Sequence, residues 1–183
     1  QYISYYHPVD FIRAVKEAYE REESKAAKDA MAQILVNSRM SAMGHRPICQ
    51  DTGIVTVFCK VGMNVTFESE MSLDDMINEG VRRAYNYPDN VLRASVLADP
   101  DGKRANTKDN TPAVINYSIV PGDTLEIDVA AKGGGSEAKS KIAMLNPSDS
   151  AVDWVLEQIP KIGAAGCPPG RLGIGIGGTD DQP

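Results

Sequence analysis

The run Ile54-Val55-Thr56-Val57-Phe58-Cys59-Lys60-Val61 constrains the fold more than any other part of the chain. It is dense in β-branched residues, which favour a pleated, buried backbone, and it predicts a core strand. Two further strand-like runs, Ala113–Val120 and Thr124–Ala131, flank Pro121-Gly122-Asp123. Turn residues there, with Leu125, Ile127 and Val129 alternating, predict a hairpin. Shorter strands are expected near Ile142–Leu145 and over Leu172–Ile176.

The rest reads as helix. Phe11, Ile12, Val15, Ala18 and Tyr19 recur at helical spacing after His7-Pro8, with Asp10 placed to cap them. A second helix runs through Ala26, Ala30, Met31, Ile34 and Leu35 and stops at Gly44-His45-Arg46-Pro47. Ser72 opens a third, carrying Leu73, Met76, Ile77, Val81 and Ala84, with Asp75 at the positive end of its dipole. Pro147-Ser148 opens a fourth, closing at Pro160 or Gly163. Residues 86–112 form a long polar connection with prolines at 88, 100 and 112, which must fold locally or serve a site. The expected class is α+β: an N-terminal helical segment, and helices packed on a mostly antiparallel sheet, with the Cys49 and Cys167 loops converging.

Composition narrows the function. With 183 residues, 42% hydrophobic and 24% charged, the chain falls in the globular range and not the disordered one. A net charge of −6 disfavours binding to phosphate backbones, so no nucleic-acid partner is expected. No apolar run approaches the roughly 20 residues of a membrane span. Three cysteines, far apart at 49, 59 and 167, do not form a disulfide framework, which fits a reducing, cytoplasmic setting. The first residue, Gln1, reads as the mark of a lost natural start.

Chemistry can sit in three loops. Cys49 is followed at once by Gln50, Asp51 and Thr52, between Pro47 and Gly53, ahead of the core strand. Loops at strand ends are where a rigid scaffold presents reactive groups, although an inert turn cysteine would look the same. Cys167 follows Ala164-Ala165-Gly166 and precedes Pro168-Pro169-Gly170; small residues there admit a bulky ligand, and proline after cysteine also occurs at iron–sulfur ligands. Lys132-Gly133-Gly134-Gly135-Ser136-Glu137 frees backbone N–H groups for an anion, or is simply a flexible loop, and it does not fit the Walker pattern. Cys59 lies mid-strand and reads as core. His7 and His45 lack the paired helical spacing of a zinc protease. Gly173-Ile174-Gly175-Ile176-Gly177-Gly178 matches a dinucleotide fingerprint only formally, because the sequence ends at Asp180-Asp181-Gln182-Pro183 before any helix or ribose-binding acid.

Six ordered stretches together resemble the class I, iron–sulfur fumarases and the related L-tartrate dehydratase alpha subunits. They are Arg46-Pro47-Ile48-Cys49-Gln50-Asp51-Thr52-Gly53, Asn78-Glu79-Gly80-Val81-Arg82-Arg83-Ala84-Tyr85, and Asp89-Asn90-Val91-Leu92-Arg93-Ala94-Ser95. Asn106-Thr107-Lys108-Asp109-Asn110-Thr111-Pro112-Ala113, Ala131-Lys132-Gly133-Gly134-Gly135-Ser136-Glu137, and Gly166-Cys167-Pro168-Pro169-Gly170 running into Gly173–Thr179 complete the set. The wording from Met71 to Pro100 is more similar to fumarase.

The resemblance implies reversible hydration of fumarate to L-malate, a tricarboxylic acid cycle step, assisted by a [4Fe–4S] cluster with one open iron acting as Lewis acid. It implies Cys49 and Cys167 as two of three cluster ligands. Gln50 and Asp51 would contact substrate, with Asp51 handling a proton. Arg93 would clamp a carboxylate, for which its planar fork is suited, and Gly133, Gly134 and Gly135 would supply backbone contacts. A homodimeric parent enzyme is also implied. In the family the third cysteine lies beyond the Cys-Pro-Pro-Gly motif, and Cys59 does not replace it. Residues 1–183 thus read as an N-terminal iron–sulfur hydro-lyase domain, cut before the third cluster cysteine and a C-terminal domain, and inactive alone. The alternatives are a non-catalytic, cluster-free fragment, an L-tartrate dehydratase, and a dinucleotide- or phosphate-binding module built on the terminal glycines.

Overall fold

The computed structural model describes residues 1–89, 92–167 and 170–178. It divides into two compact units, Gln1–Gly133 and Gly134–Pro183.

The first unit opens with α1 (Tyr2–Tyr5), α2 (Val9–Arg21) and α3 (Lys25–Gly44). Pro8, and not Asp10, stands at the N-cap of α2. Proline's fixed φ suits a helix entry, while the Asp10 carboxylate accepts from the Phe11 N–H at 2.8 Å inside the first turn. Ser24 caps α3 by accepting from the Ala27 N–H, and His45 ends it in the left-handed conformation, φ 48°. α2 packs along α3, burying Val15, Ser38 and Ser41.

β1 (Ile54–Gly62) is the core strand the sequence predicts. Val55, Val57 and Cys59 alternate inward, and the last two are each 1% exposed. Burying a side chain such as Val57 contributes about 1.5–3 kcal/mol. α4 (Leu73–Tyr85) covers this face. Ser72 accepts from the Asp75 N–H at 3.1 Å to start it, with Asp74 and Asp75 in its first turn and Arg82 and Arg83 in its last. Both charge placements favour the helix dipole. Val81 and Tyr85, with Ile77 and Ala84, join Tyr5, Leu92 and the β1 residues in one core.

The expected hairpin is not formed. β4 (Val114–Val120) and β5 (Leu125–Lys132) do not pair with each other. β1 lies between them, parallel to β4 (Val57↔Ile115) and antiparallel to β5 (Val57↔Val129). The Pro121–Thr124 link straddles the end of β1. Gly62 N–H donates to Thr124 O, Met63 N–H to Val120 O and Asn64 N–H to Gly122 O, each at 2.9 Å. A Cβ on Gly62 would come within 2.6 Å of the Gly122 oxygen. Turn chemistry reports that the chain reverses there. It does not report that the most apolar strand has taken the place between the two arms. The class is α+β as expected, and the three-stranded sheet is mixed.

The long connection folds locally. β2 (Leu97–Ala98) pairs antiparallel with β3 (Ala105–Asn106). Its tip is closed by the Asp99 carboxylate, which accepts from the Gly102 N–H at 3.1 Å and the Lys103 N–H at 2.9 Å.

The second unit holds the helical turn α5 (Gly134–Glu137), α6 (Ala151–Ile162) and a 3₁₀ turn, Gly163–Gly166. Ser150 caps α6 by accepting from the Asp153 N–H at 3.2 Å, three residues later than the Pro147 start would give, and Pro160 lies inside the helix. No strand forms at Ile142–Leu145 or Leu172–Ile176 among the described residues. Met144 is 81% exposed, and among the described residues no neighbouring strand pairs with this run. Gly173 and Gly175 further weaken the second run. The expectations placed on Val91, Pro168-Pro169 and Thr179–Pro183 fall outside the described residues. No helix among the described residues is long and apolar enough to cross a membrane.

Candidate functional site

In the first unit the turn before β1 is anchored at Ile48 by α1 and α3. Ile48 N–H donates to Ser4 O at 2.8 Å, and the Asn37 amide donates to Ile48 O at 2.8 Å. Cys49 and Gln50 are exposed beyond this anchor. The Asp51 N–H points at Cys49 Sγ, 3.4 Å away. The Asp51 carboxylate accepts from the Gly53 N–H at 3.1 Å, which fixes the turn.

Below the turn lies a layer of buried polar groups. The Tyr85 hydroxyl donates toward Thr52 O at 3.0 Å and Gly53 O at 3.3 Å. Burial pushes the Tyr85 hydroxyl up, and the charge of Asp51 acts in the same direction, so it stays a donor. Asn110 donates to Gly53 O at 2.9 Å. Its own oxygen accepts from the Ser95 N–H at 2.7 Å and the Val96 N–H at 3.2 Å. The Thr52 hydroxyl donates to Arg93 O. These bonds dock the 92–96 segment beside the turn, and the Arg93 guanidinium donates to Gln50 Oε1. The loop holding Asn110 is tied to α4: Arg82 Nε meets Asp109 at 3.0 Å, and Ala113 N–H donates to Asn78 at 2.8 Å. Burial pushes the Asp109 carboxyl up, but Thr111 and Arg82 outweigh it and hold the group below its usual range.

Sheet register brings in the fourth element. Ile54 pairs with Lys132, so Gly133 comes beside Asp51. A Cβ on Gly133 would lie 3.0 Å from Asp51 Oδ2. Cys49, Gln50, Asp51, Arg93 and Gly133 therefore meet at the head of β1, held there by Thr52, Tyr85 and Asn110. The sequence reading gave these last three no role. Their signal was faint: Tyr85 ends an otherwise apolar helical stripe, and Asn110 is one polar residue among many in its motif.

In the second unit Gly134 and Gly135 begin a helical turn and not an open loop, with Ala138 N–H donating to Gly134 O at 2.9 Å. Cys167 is exposed at φ 63°, ending the 3₁₀ turn. A Cβ on Gly135 would come within 3.1 Å of Cys167 Sγ, so the glycine leaves room for the thiol. The His45 ring meets the Tyr6 hydroxyl at 3.2 Å and stacks on Tyr5.

Cys49 and Cys167 are both free, exposed thiols, the donor type that holds iron–sulfur clusters. An N–H aimed at sulfur, as at Cys49, is a common tuning device for such ligands. Each by itself has the chemistry of a cluster ligand. Among the described residues no three His, Cys, Asp or Glu side chains are grouped to hold a metal ion.

The family described as fumarate hydratase (Fumerase) matches residues 1–183. The chain belongs to this family. It is 37% identical, over 96% of its length, to a putative L(+)-tartrate dehydratase subunit alpha of Methanocaldococcus jannaschii, covering 63% of that protein. It is 32% identical over 90% of its length to the anaerobic class I fumarate hydratase of Escherichia coli, covering 30% of it. With fumarate hydratase 2 of Leishmania major the figures are 33%, 94% and 31%. The chain thus spans from about one third to just under two thirds of these relatives.

Within this family member, the three cysteines are expected to differ in reactivity. Cys59 is buried and its thiol is pushed up by burial, with Asp74 adding to the shift. Iodoacetamide on the native apo chain should modify Cys49 and Cys167 promptly, and Cys59 only after unfolding. Mass mapping that finds Cys59 alkylated as fast as the others would contradict the position of β1.

Proposed function

We propose that the chain is the N-terminal part of a [4Fe–4S] hydro-lyase that reversibly hydrates fumarate to L-malate. The observation that carries this reading is the meeting of an exposed thiol, a carboxylate, an amide and a guanidinium at the head of β1: Cys49, Asp51, Gln50 and Arg93. A dicarboxylate needs cationic and N–H donors, and the Arg93 fork suits one carboxylate. Gln50, already bonded to Arg93, adds an amide donor next to it. The backbone N–H groups at Gly133, Gly134 and Gly135 complete the contacts.

Hydration forms a C–O bond at one alkene carbon and a C–H bond at the other. The reverse reaction takes the C–H proton and releases water. Asp51 assists the proton movement, its carboxylate steadied by the Gly53 N–H. A cluster bound through Cys49 and Cys167, with a third thiolate from the rest of the protein, would supply an open iron as Lewis acid toward the substrate hydroxyl and carboxylate. The reading includes a homodimeric parent enzyme in the cytoplasm. Tartrate dehydration is the second reading, favoured by the Methanocaldococcus relative's name.

The test is full-length protein purified anaerobically. It should carry iron and sulfide and hydrate fumarate faster than it dehydrates L-tartrate. Cys49→Ser should lose most of both iron and activity. A preference for tartrate would favour the second reading, and turnover of neither acid would overturn both. The 183 residues alone are expected to hydrate no fumarate.

A further inference from the structure

We propose that Asn110 is a positioning residue whose buried carboxamide sets the spacing between the Arg93 segment and the Cys49–Gly53 turn. It thereby fixes the carboxylate-binding half of the site. The proposal deepens the dicarboxylate reading given above and rests on it.

Asn110 is 0% exposed, the most deeply buried polar side chain among the described residues of the unit. A buried amide is costly unless its hydrogen bonds are made. Here they are made to two separate segments. The nitrogen donates to Gly53 O at 2.9 Å, and the oxygen accepts from Ser95 and Val96 at 2.7 and 3.2 Å. One rigid planar group therefore spans the distance between the residue that ends the turn and the strand of chain just after Arg93. A donor on one atom and an acceptor on another, held in one plane, is what an amide offers and an ionised carboxylate does not. Asn110 itself stands at φ 62°, a conformation asparagine tolerates better than most residues. Its neighbour Asp109 is gripped by Arg82 and Thr111, so the loop cannot easily rotate the amide away. Arg93 and Gln50 touch each other at the top of this arrangement. A change in the spacing below would move their donors relative to a bound carboxylate.

Asn110→Asp keeps the volume and the acceptor toward Ser95 and Val96 but sets an oxygen against Gly53 O. In the full-length protein, hydrogen exchange should quicken in residues 49–53 and 92–96, while the β1 and β4 amides keep their protection. The KM for fumarate and the inhibition constant of succinate should rise together by about 10-fold, with kcat within about threefold. Unchanged exchange in the two segments would overturn the proposal. So would altered exchange with unchanged KM and succinate inhibition, since Asn110 would then be merely structural. Should the wild-type enzyme turn over neither fumarate nor tartrate, the function reading fails, and the exchange data still decide whether Asn110 couples the two segments. If the variant does not fold, the wild-type protein suffices: fast exchange of both the Ser95 and Val96 amides would overturn the proposal, and protection of both would support it.

Discussion

Replacing Asp51 by Asn is expected to lower fumarate hydration by the full-length enzyme by about 10²–10⁴-fold, the range associated with a positioned proton-transfer group. The substitution keeps the shape of the turn. An asparagine oxygen can still accept from the Gly53 N–H, which the Asp51 carboxylate meets at 3.1 Å. Its amide nitrogen can occupy the room that Gly133 leaves by having no Cβ. What is lost is the negative charge and the capacity to take and return a proton. Thermal stability should change by about 1 kcal/mol, the usual size for a point substitution, since Asp51 has further interactions that asparagine reproduces only in part. Measured kcat and unfolding midpoint together check this. Activity retained within a few-fold would remove Asp51 from the proton path, while a large loss of stability would show that its charge holds the turn.

Gly53→Ala is the second large effect, on stability. Gly53 adopts φ +78°, and a Cβ there would lie 2.8 Å from the carbonyl carbon and oxygen of Lys132. The left-handed backbone costs a non-glycine residue roughly 1–2 kcal/mol. Overlap with backbone atoms has no rotamer to relieve it, so β5 must shift away from β1, at about 1–3 kcal/mol more. Together, a loss of about 2–5 kcal/mol is large against the roughly 5–15 kcal/mol that holds a domain folded. Urea unfolding should show a clearly lower midpoint at an unchanged slope. Activity should fall as well, because Tyr85 and Asn110 both hold the Gly53 carbonyl. An unchanged midpoint would mean that β5 does not approach β1 at this residue.

The two substitutions probe different layers of one arrangement. Asp51 is half-buried at the head of β1, in the layer proposed to carry the chemistry, and Gly53 lies in the close-packed joint beneath it. The joint needs its glycine because three elements meet there: the turn, the end of β5, and the 92–96 segment through Asn110.

Local sequence signals carried much of this fold. Ser72 announced its helix because a hydroxyl acceptor ahead of an apolar-periodic run satisfies an otherwise unpaired N–H. The density of β-branched residues in Ile54–Val61 identified the buried strand and placed Cys59 in the core. Other signals were misleading. Ile142–Leu145 has strand-like residues, yet it is exposed and makes no strand, since a strand exists only through its neighbour's hydrogen bonds. The Pro121-Gly122-Asp123 turn has hairpin chemistry, yet its two arms are separated by β1.

By itself, the sequence determined the main helices, the core strand and the family, and it named Cys49, Gln50, Asp51, Arg93, Gly133 and Cys167 as candidates. Those are properties of short stretches: periodicity, capping and ordered motifs can be read one segment at a time. Only the tertiary structure decided that β1 enters between β4 and β5, which sets Gly133 beside Asp51. It alone showed Asn110 and Tyr85 holding the turn from below. The Arg93–Gln50 bond joins residues 43 positions apart in the chain, and the Asn110–Gly53 bond joins residues 57 apart. Such pairings depend on which apolar faces bury against one another, and no local pattern encodes that choice.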